Sequence, residues 1–294
     1  MMTLIKLNEY NIDKVDIFIL YCPEERKHRD KAKSDWVSID TRFFYLTKMI
    51  PLAYINSHLG TVAIVRSIED IESFISNGPS NYKFFPSLFN LRLSRFTYKN
   101  YFNEIHDFYI KNKFLPKLSC RNEAKYWAQI FIKDKIETRF TVVVHMRNRS
   151  YSGDRNAIPE SWIKFFQYFE QETNLTFLLI GEIEEIDERF RKFNNVIYTK
   201  DYGTNVEQDL ALIESADIYV GSNSGPAIMS MFGDSPYLIF GYKVVHEKLE
   251  YGSQIPWANS LQKIFWQTET AKLLISEFTL IFESISKSES TVHS

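Results

Sequence analysis

The sequence has few of the residues that build disulfide or zinc frameworks. Its 294 residues include two cysteines, Cys22 and Cys120, and no C-x-x-C pair. One disulfide is therefore the upper limit, and a cysteine-based zinc or redox site is excluded. We expect both thiols to be buried in a protein of the reducing cytoplasm.

Long apolar runs and an excess of one charge are also missing. The apolar runs 141–144 and 177–180 have the length of strands, far short of the roughly 20 residues that span a bilayer. The N-terminal residues mix Lys6 and Glu9 into the apolar ones, so no signal peptide is predicted. The sequence has 35 basic and 37 acidic residues, which gives a net charge of −2. It therefore has no surplus of basic residues of the kind that is typical of nucleic-acid-binding proteins. The sequence predicts a soluble protein without a nucleic-acid partner.

Several nucleotide, metal and hydrolase motifs are absent. Among the ten glycines there is no G-x-G-x-x-G and no G-x-x-x-x-G-K-[ST], so the dinucleotide fingerprint and the P-loop are excluded. Neither H-E-x-x-H nor D-x-D occurs, and we predict that no metal is required. Residues 221–225 have the outline of a G-x-S-x-G elbow, but the central residue is Asn223, which cannot be a nucleophile.

The second half of the chain alternates strand-like and helix-like patterns, which is typical of βαβ units and a parallel sheet. Strands are predicted over 140–145, 176–181, 195–199, 217–221 and 237–241. Helices are predicted over 159–169, 186–193, 204–214 and 226–232, the third opening with a capping box at Thr204 and Glu207. This half is therefore predicted to be a doubly wound, Rossmann-like domain.

The first half is less regular, and we predict an α/β fold for it without a defined topology. Strands are predicted over 17–21 and 61–65, and helices over 68–75 and 123–134. Apolar residues recur on one face of 271–285, so this segment is predicted to pack as an amphipathic helix. We expect an N-terminal domain over 1–136, a Rossmann-like domain over 137–268, and a C-terminal helix and tail over 269–294.

Two polar loops follow strands of the predicted parallel sheet, where such sheets bind ligands. The first, 145–156, carries guanidinium groups, which suit bidentate contacts to phosphate oxygens; its polar candidates are His145, Arg147, Arg149, Asp154, Arg155 and Asn156. The second loop has small residues and hydroxyls that let an anion approach the backbone at a helix start; it consists of Ser222, Asn223, Ser224, Gly225 and Pro226. Together the loops fit a diphosphate.

Each loop also has an ordinary structural explanation. A Ser/Asn/Gly-Pro turn can simply cap a helix, arginine-rich loops are usually solvated, and a histidine that ends a strand can be structural. The position of both loops at one edge of one sheet favours the ligand site.

These residues resemble bacterial glycosyltransferases of surface-polysaccharide gene clusters over 140–245. The features that carry the resemblance are the H-x-R of 145–147, the strand that ends at Gly181-Glu182, the run 217–226 and the Phe-Gly of 240–241. The second loop and the Phe-Gly pair are similar to heptosyltransferase-type GT-B enzymes, and H-x-R is similar to the donor-phosphate loop of GT-B fucosyltransferases. Where the heptosyltransferase type has Asp-Thr, this chain has Asn223-Ser224.

The resemblance implies two Rossmann-like domains, with the nucleotide sugar bound mainly by the C-terminal one and the acceptor approaching from the N-terminal one. Arg147 would neutralise charge on the leaving diphosphate, which Ser224 and Gly225 would also bind. Glu182 would reach the ribose or the base. Tyr242 would stack near the base.

The general base for the acceptor hydroxyl has two candidates. Asp154 lies in the arginine loop, where its neighbours would lower its pKa and weaken it as a base. His58 has a suitable intrinsic pKa and lies in the half expected to face the acceptor, so it is preferred.

The resemblance thus implies a cytoplasmic, metal-independent GT-B glycosyltransferase of polysaccharide biosynthesis. It would transfer a sugar, with inversion, from a nucleotide-sugar substrate to a surface glycan of the polysaccharide or lipopolysaccharide type, without a further cofactor. A lipid-linked acceptor would bring it to the inner face of the membrane as a peripheral protein. Two alternatives stay open: a nucleotide-sugar epimerase or pyruvyl transferase, and a non-catalytic GT-B scaffold.

Overall fold

The structure, a computed structural model, describes residues 1–20, 46–47, 50–56, 58–78, 83–85, 98–148, 156–242 and 248–290. The chain divides into two compact units, Met1–Pro116 and Lys117–Ser294. This division lies earlier than the 136/137 boundary expected from the sequence. The helix Asn122–Lys135 therefore belongs to the second unit.

The first unit contains a parallel strand pair, β1 (Val15–Leu20) and β2 (Leu59–Val65), within its described residues. Its helices are α1 (Met2–Tyr10), α2 (Ile68–Asn77) and α3 (Tyr98–Asn112), and α1 packs against α3. Both strands and α2 were predicted, whereas α1 and α3 were not. A capping box explains the start of α2, because Ser67 accepts from the Asp70 N–H while the Asp70 carboxylate accepts from the Ser67 N–H.

The second unit is built on a six-stranded parallel sheet with the order β5-β4-β3-β6-β7-β8. The strands are β3 (Phe140–His145), β4 (Leu175–Leu179), β5 (Val196–Tyr198), β6 (Ile218–Ser222), β7 (Tyr237–Phe240) and β8 (Gln262–Ile264). Every residue of β3, β4, β6 and β7 is buried, as expected for a parallel sheet covered on both faces. The α/β class and the doubly wound parallel sheet of this half are confirmed; β8 was not predicted.

The helices of this unit are α4 (Asn122–Lys135), α5 (Pro159–Tyr168), α6 (Val206–Ser215), α7 (Ala227–Met231) and α8 (Ala271–Ser290). Helix α4 packs against α6, and α5 packs against α8. The segment predicted as a helix over 186–193 is a shorter 3-10 helix, Glu188–Lys192. Among the described residues, we find no helix that combines the length and the hydropathy needed to cross a membrane.

The start of α6 corrects the predicted capping box. The reciprocal hydrogen bonds join Asn205 and Gln208, one residue later than the predicted pair. Thr204 instead donates to the Thr199 hydroxyl. Glu207 accepts two hydrogen bonds from Arg121, so this carboxylate ties α6 to the start of α4 and does not cap its own helix.

Phenylalanine rings form the core between the sheet and helices α5 and α8. The centre is the Phe165 ring, fully buried, which lies 5.2 to 5.6 Å between centroids from five other aromatic rings. These neighbours come from α5, the residue that follows it, β4 and α8: Trp162, Phe166, Phe169, Phe177 and Phe278. The predicted i, i+3, i+4, i+7 apolar face of α5 thus anchors the helix that follows the arginine loop.

Candidate functional site

The two predicted ligand loops follow adjacent strands. β3 and β6 are neighbours in the sheet, and His145 is paired with Gly221 at their carboxyl ends. The chain runs from β3 to β4 and β5 on one side and returns to place β6 on the other side of β3. This reversal of strand order is where doubly wound sheets open a ligand crevice. The prediction that both loops share one edge is confirmed.

A histidine and a serine join the two loops directly. The Ser224 Oγ lies 2.8 Å from His145 Nδ1, and the same hydroxyl donates to the Ser222 carbonyl at 3.1 Å. Because a carbonyl only accepts, the hydroxyl proton points to Ser222 and the imidazole Nδ1–H donates to Ser224. The other imidazole nitrogen, Nε2, faces Gly181.

Gly181 lies against the edge of this imidazole. A Cβ at this position would lie 3.2 Å from His145 Cδ2 and 3.3 Å from Nε2, and its φ of +114° favours glycine. The turn after β4 therefore approaches the histidine as closely as a residue without a side chain allows. Glu182, the next residue and a predicted ribose or base contact, is half-buried.

Gly221 is required where β6 meets β3. A Cβ there would lie 2.5 Å from the His145 carbonyl oxygen and 2.7 Å from the Tyr219 hydroxyl. Burial raises the pKa of the Tyr219 phenol far above its usual range, while the contact with Ser224 lowers it. The Tyr219 side chain is therefore uncharged where it lines the site.

Arg147 is held in a buried position at the base of its loop. Its side chain is only 6% exposed, and its Nη1 donates to Asn156 Oδ1 at 2.5 Å. Its backbone N–H donates to Ser222 Oγ at 3.3 Å, and its carbonyl accepts from the Ala157 N–H at 2.7 Å. These bonds close the loop at its base and place the Arg147 backbone beside the second loop.

The second loop is anchored by its backbone and open at its glycine. The Asn223 N–H donates to the Phe240 carbonyl at 2.9 Å, which extends the pairing of β6 with β7. Apart from its chain neighbours, no atom of the described residues lies within 4 Å of the position where a Cβ of Gly225 would be. Pro226 precedes α7, which has only five residues, so the expected helix-start contribution to anion binding is small.

Tyr242 does not have the predicted stacking geometry. It is 1% exposed, its ring meets Trp266 edge to face with centroids 5.2 Å apart, and its N–H donates to the Phe265 carbonyl. A ring packed inside the fold cannot stack on a base. Tyr251, which the sequence did not single out, is 72% exposed and lies 5.1 Å from Trp266.

The two candidate general bases are His58 and Asp154. His58 belongs to the first unit, where its exposed ring lies with Nδ1 3.2 Å from the Asp13 carbonyl and its N–H donates to Asn56. Asp154 lies outside the described residues, as do Arg149 and Arg155. The role of each of these four residues stays a prediction.

A buried carboxylate that the sequence did not reveal supports the site. Glu269 is 2% exposed, and its Oε1 accepts from the Ile158 N–H at 3.0 Å and from Trp162 Nε1 at 3.1 Å. These bonds fix the start of α5, where the chain leaves the arginine loop. Glu269 comes from the far end of the sheet, 107 residues from Trp162, so no local pattern could have indicated it.

Comparison with known proteins gives two similar structures and no sequence relative. No family model and no curated protein matches the chain. The E. coli ADP-heptose lps heptosyltransferase II is similar at 9% identity and a TM-score of 0.42, over 59% of this chain and 55% of that one. E. coli heptosyltransferase WaaC with ADP-2-deoxy-2-fluoro heptose is similar at 16% identity and a TM-score of 0.35, over 53% of this chain and 47% of that one. The chain thus spans about half the length of these structures. Both are heptosyltransferases, the enzyme type named in the sequence resemblance.

Proposed function

We propose that this chain is a GT-B-type glycosyltransferase that transfers a sugar from a nucleotide-sugar donor to a bacterial surface glycan of the lipopolysaccharide type. The observation that carries this proposal is the cluster of His145, Arg147 and Ser224 at the strand reversal of a Rossmann-like sheet. A buried arginine at the end of one strand, with a serine hydroxyl and a glycine turn at the end of the adjacent strand, is suited to a diphosphate.

The proposed reaction needs an anion site more than a covalent catalyst. The acceptor oxygen attacks the anomeric carbon, the bond from that carbon to the diphosphate oxygen breaks, and the acceptor proton passes to a base. Negative charge develops on the departing diphosphate, and Arg147 would stabilise it through its fixed guanidinium. Ser224 and the backbone at Gly225 would bind the same diphosphate, and attack from the face opposite the leaving group would invert the anomeric centre.

The proton acceptor in this proposal is His58, with Asp154 as the second candidate. An arginine in place of a bound cation would make the reaction metal-independent, since the guanidinium supplies the positive charge that a divalent ion supplies elsewhere. A lipid-linked acceptor would bring the protein to the inner face of the membrane.

Nucleotide binding is the first test, by thermal shift and calorimetry with UDP, GDP, CMP, ADP and dTDP, each in magnesium and in EDTA. At a nucleotide concentration 100 times Kd, binding stabilises the folded state by about 2.7 kcal/mol. For a unit of this size that corresponds to a rise in Tm of roughly 5–10 °C. We expect one nucleotide class to produce this rise equally in EDTA.

Arg147→Ala should weaken that binding roughly 10- to 150-fold, because hydrogen bonds to charged groups contribute about 1.5–3 kcal/mol. The matched control is Arg191→Ala, which removes an exposed arginine that is paired with Asp201. Equal binding by wild type and Arg147→Ala would contradict the placement of the site. Absence of binding by every nucleotide would favour the scaffold alternative, and a nucleotide sugar altered without an acceptor would favour the epimerase.

A further inference from the structure

A buried ion pair lies beside the carboxyl ends of β4 and β5, next to the proposed anion site. Lys200 is in the 3-10 turn Thr199–Tyr202 that follows β5, and Asp209 is in α6. Lys200 Nζ donates to Asp209 Oδ2 at 2.9 Å, and the two side chains are 10% and 8% exposed. The proposed reaction has no use for either charge.

The polar groups around this pair are bonded to one another. Lys200 Nζ also donates to the Thr204 carbonyl at 2.5 Å, and the Thr204 hydroxyl donates to Thr199 Oγ1 at 3.2 Å. Thr199 Oγ1 donates to the Leu179 carbonyl at the last residue of β4 and lies 3.4 Å from Asp209 Oδ1.

Stability alone is a poor explanation for this arrangement. Removing two charges from water costs several kcal/mol per ion, and well-packed apolar residues often serve a fold equally well. Burial raises the pKa of Asp209, and Lys200 only partly opposes that effect. The group that the pair holds is therefore the informative observation.

That group is the Leu179 carbonyl at the end of β4, which accepts from Thr199, the hydroxyl that also lies against Asp209. Gly181 follows two residues later, and a Cβ at that position would lie 3.2 Å from the His145 ring. His145 in turn bonds Ser224 in the second loop. The pair is thus linked through Thr199 and the end of β4 to the Gly181 turn, which lies against His145.

We propose that the Lys200–Asp209 pair is a positioning pair, which fixes the Gly181 turn and thereby holds the His145 imidazole in the orientation that bonds Ser224. The consequence for nucleotide affinity rests on the proposed function, whereas the orientation of the imidazole does not. Loss of the pair should free the turn after β4, let the imidazole rotate away from Ser224 and weaken binding of a diphosphate.

The test uses the full chain with ¹⁵N-labelled histidine, and the His145 signals are assigned with His145→Gln. Asp209→Leu removes the carboxylate that faces Lys200 and Thr199, and Asp209→Asn keeps a polar acceptor but removes the charge. Lys200→Met and Lys200→Arg form a second pair, in which arginine restores the charge. The matched control is Asp201→Asn, in the same turn, where an exposed carboxylate pairs with Arg191.

We expect the ring-nitrogen signals of His145 to lose the Nδ1-protonated pattern in Asp209→Leu and Lys200→Met, and to keep it in Lys200→Arg and Asp201→Asn. The Kd for the best nucleotide should rise at least tenfold in the first two variants, with Asp209→Asn between them and wild type. Urea denaturation identifies any variant that is unfolded, in which case Asp209→Asn and Lys200→Arg still decide the outcome.

A folded Asp209→Leu or Lys200→Met variant with wild-type His145 signals would overturn the proposal, even with a reduced free energy of unfolding. If wild type binds none of the nucleotides, the proposed function fails, and the histidine signals still test the positioning pair. If wild type binds a nucleotide and the variants bind it equally well, the proposed function survives and the positioning role fails.

Discussion

Two glycines of the second loop region differ sharply in what surrounds them. Gly221→Ala would place a Cβ 2.5 Å from the His145 carbonyl and 2.7 Å from the Tyr219 hydroxyl. Backbone atoms cannot move aside cheaply, so we expect a loss of about 1–3 kcal/mol in the free energy of unfolding. Gly225→Ala adds a Cβ that meets no atom within 4 Å in the part of the chain that the structure describes, its chain neighbours aside, and should change stability by no more than about 0.5 kcal/mol. Urea denaturation of both variants measures the contrast, and equal losses would contradict the close approach of β3 and β6.

Cys120 is expected to be unreactive in the folded protein. It is fully buried, and burial, followed by the neighbouring Glu214, raises the pKa of its thiol far above its usual range. The thiolate, which is the reactive form, is therefore nearly absent at pH 8. Iodoacetamide labelling with peptide mapping should leave the Cys120 peptide unmodified until urea is added. Modification under native conditions at the rate of a free thiol would be inconsistent with this burial. Cys22, the other cysteine, lies outside the described residues.

The sequence indicated those site residues that follow a strand and carry recognisable chemistry. His145, Arg147 and Ser224 were found because they end or follow β3 and β6, and the structure brings them together. Asp209 and Glu269 were missed because their partners are brought to them only in the folded chain: Lys200 in the turn after β5 for Asp209, and the Ile158 N–H for Glu269. Tyr242 was misjudged because a strand end does not reveal that Trp266 covers the ring.

At the scale of secondary structure, helix α5 depends on its phenylalanines. Phe165→Ala would leave a cavity among five aromatic rings, and we expect a loss of about 3–5 kcal/mol in the free energy of unfolding. Gln167→Ala, at an exposed position of the same helix, is the control and should change little. Chemical denaturation measures both. A loss below about 1 kcal/mol for Phe165→Ala would show that this core is not the one that holds α5.

The sequence predicted well those helices and strands whose own residues show an apolar periodicity or a continuous apolar run. The fully buried β3 has the predicted bounds, and α5 starts at the predicted Pro159. β8 was missed because it has three residues, including Lys263, and its place comes from pairing with β7. The start of α6 shifted by one residue because Glu207 was recruited by Arg121, a contact across 86 residues.

At the scale of the whole chain, the second unit should fold without the first. Helix α4 joins this unit through Arg121 and Glu207, and Glu214 of α6 accepts from the Ser119 hydroxyl and the Cys120 N–H. We expect a fragment of residues 117–294 to melt cooperatively. A fragment of 137–294 should be markedly less stable, because it exposes the α4-facing side of α6 and leaves both carboxylates without these partners. Thermal unfolding followed by circular dichroism compares the two fragments, and equal Tm values would favour the domain boundary at 136/137 that the sequence predicts.

The contact between His145 and Ser224 joins residues 79 positions apart in the chain. During synthesis, the arginine loop leaves the ribosome long before the strand that completes the crevice. A nascent chain that ends before Ser224 therefore carries His145 without its hydroxyl partner. The proposed anion site would be complete only after β6 has docked beside β3, so ligand binding would report the completed sheet.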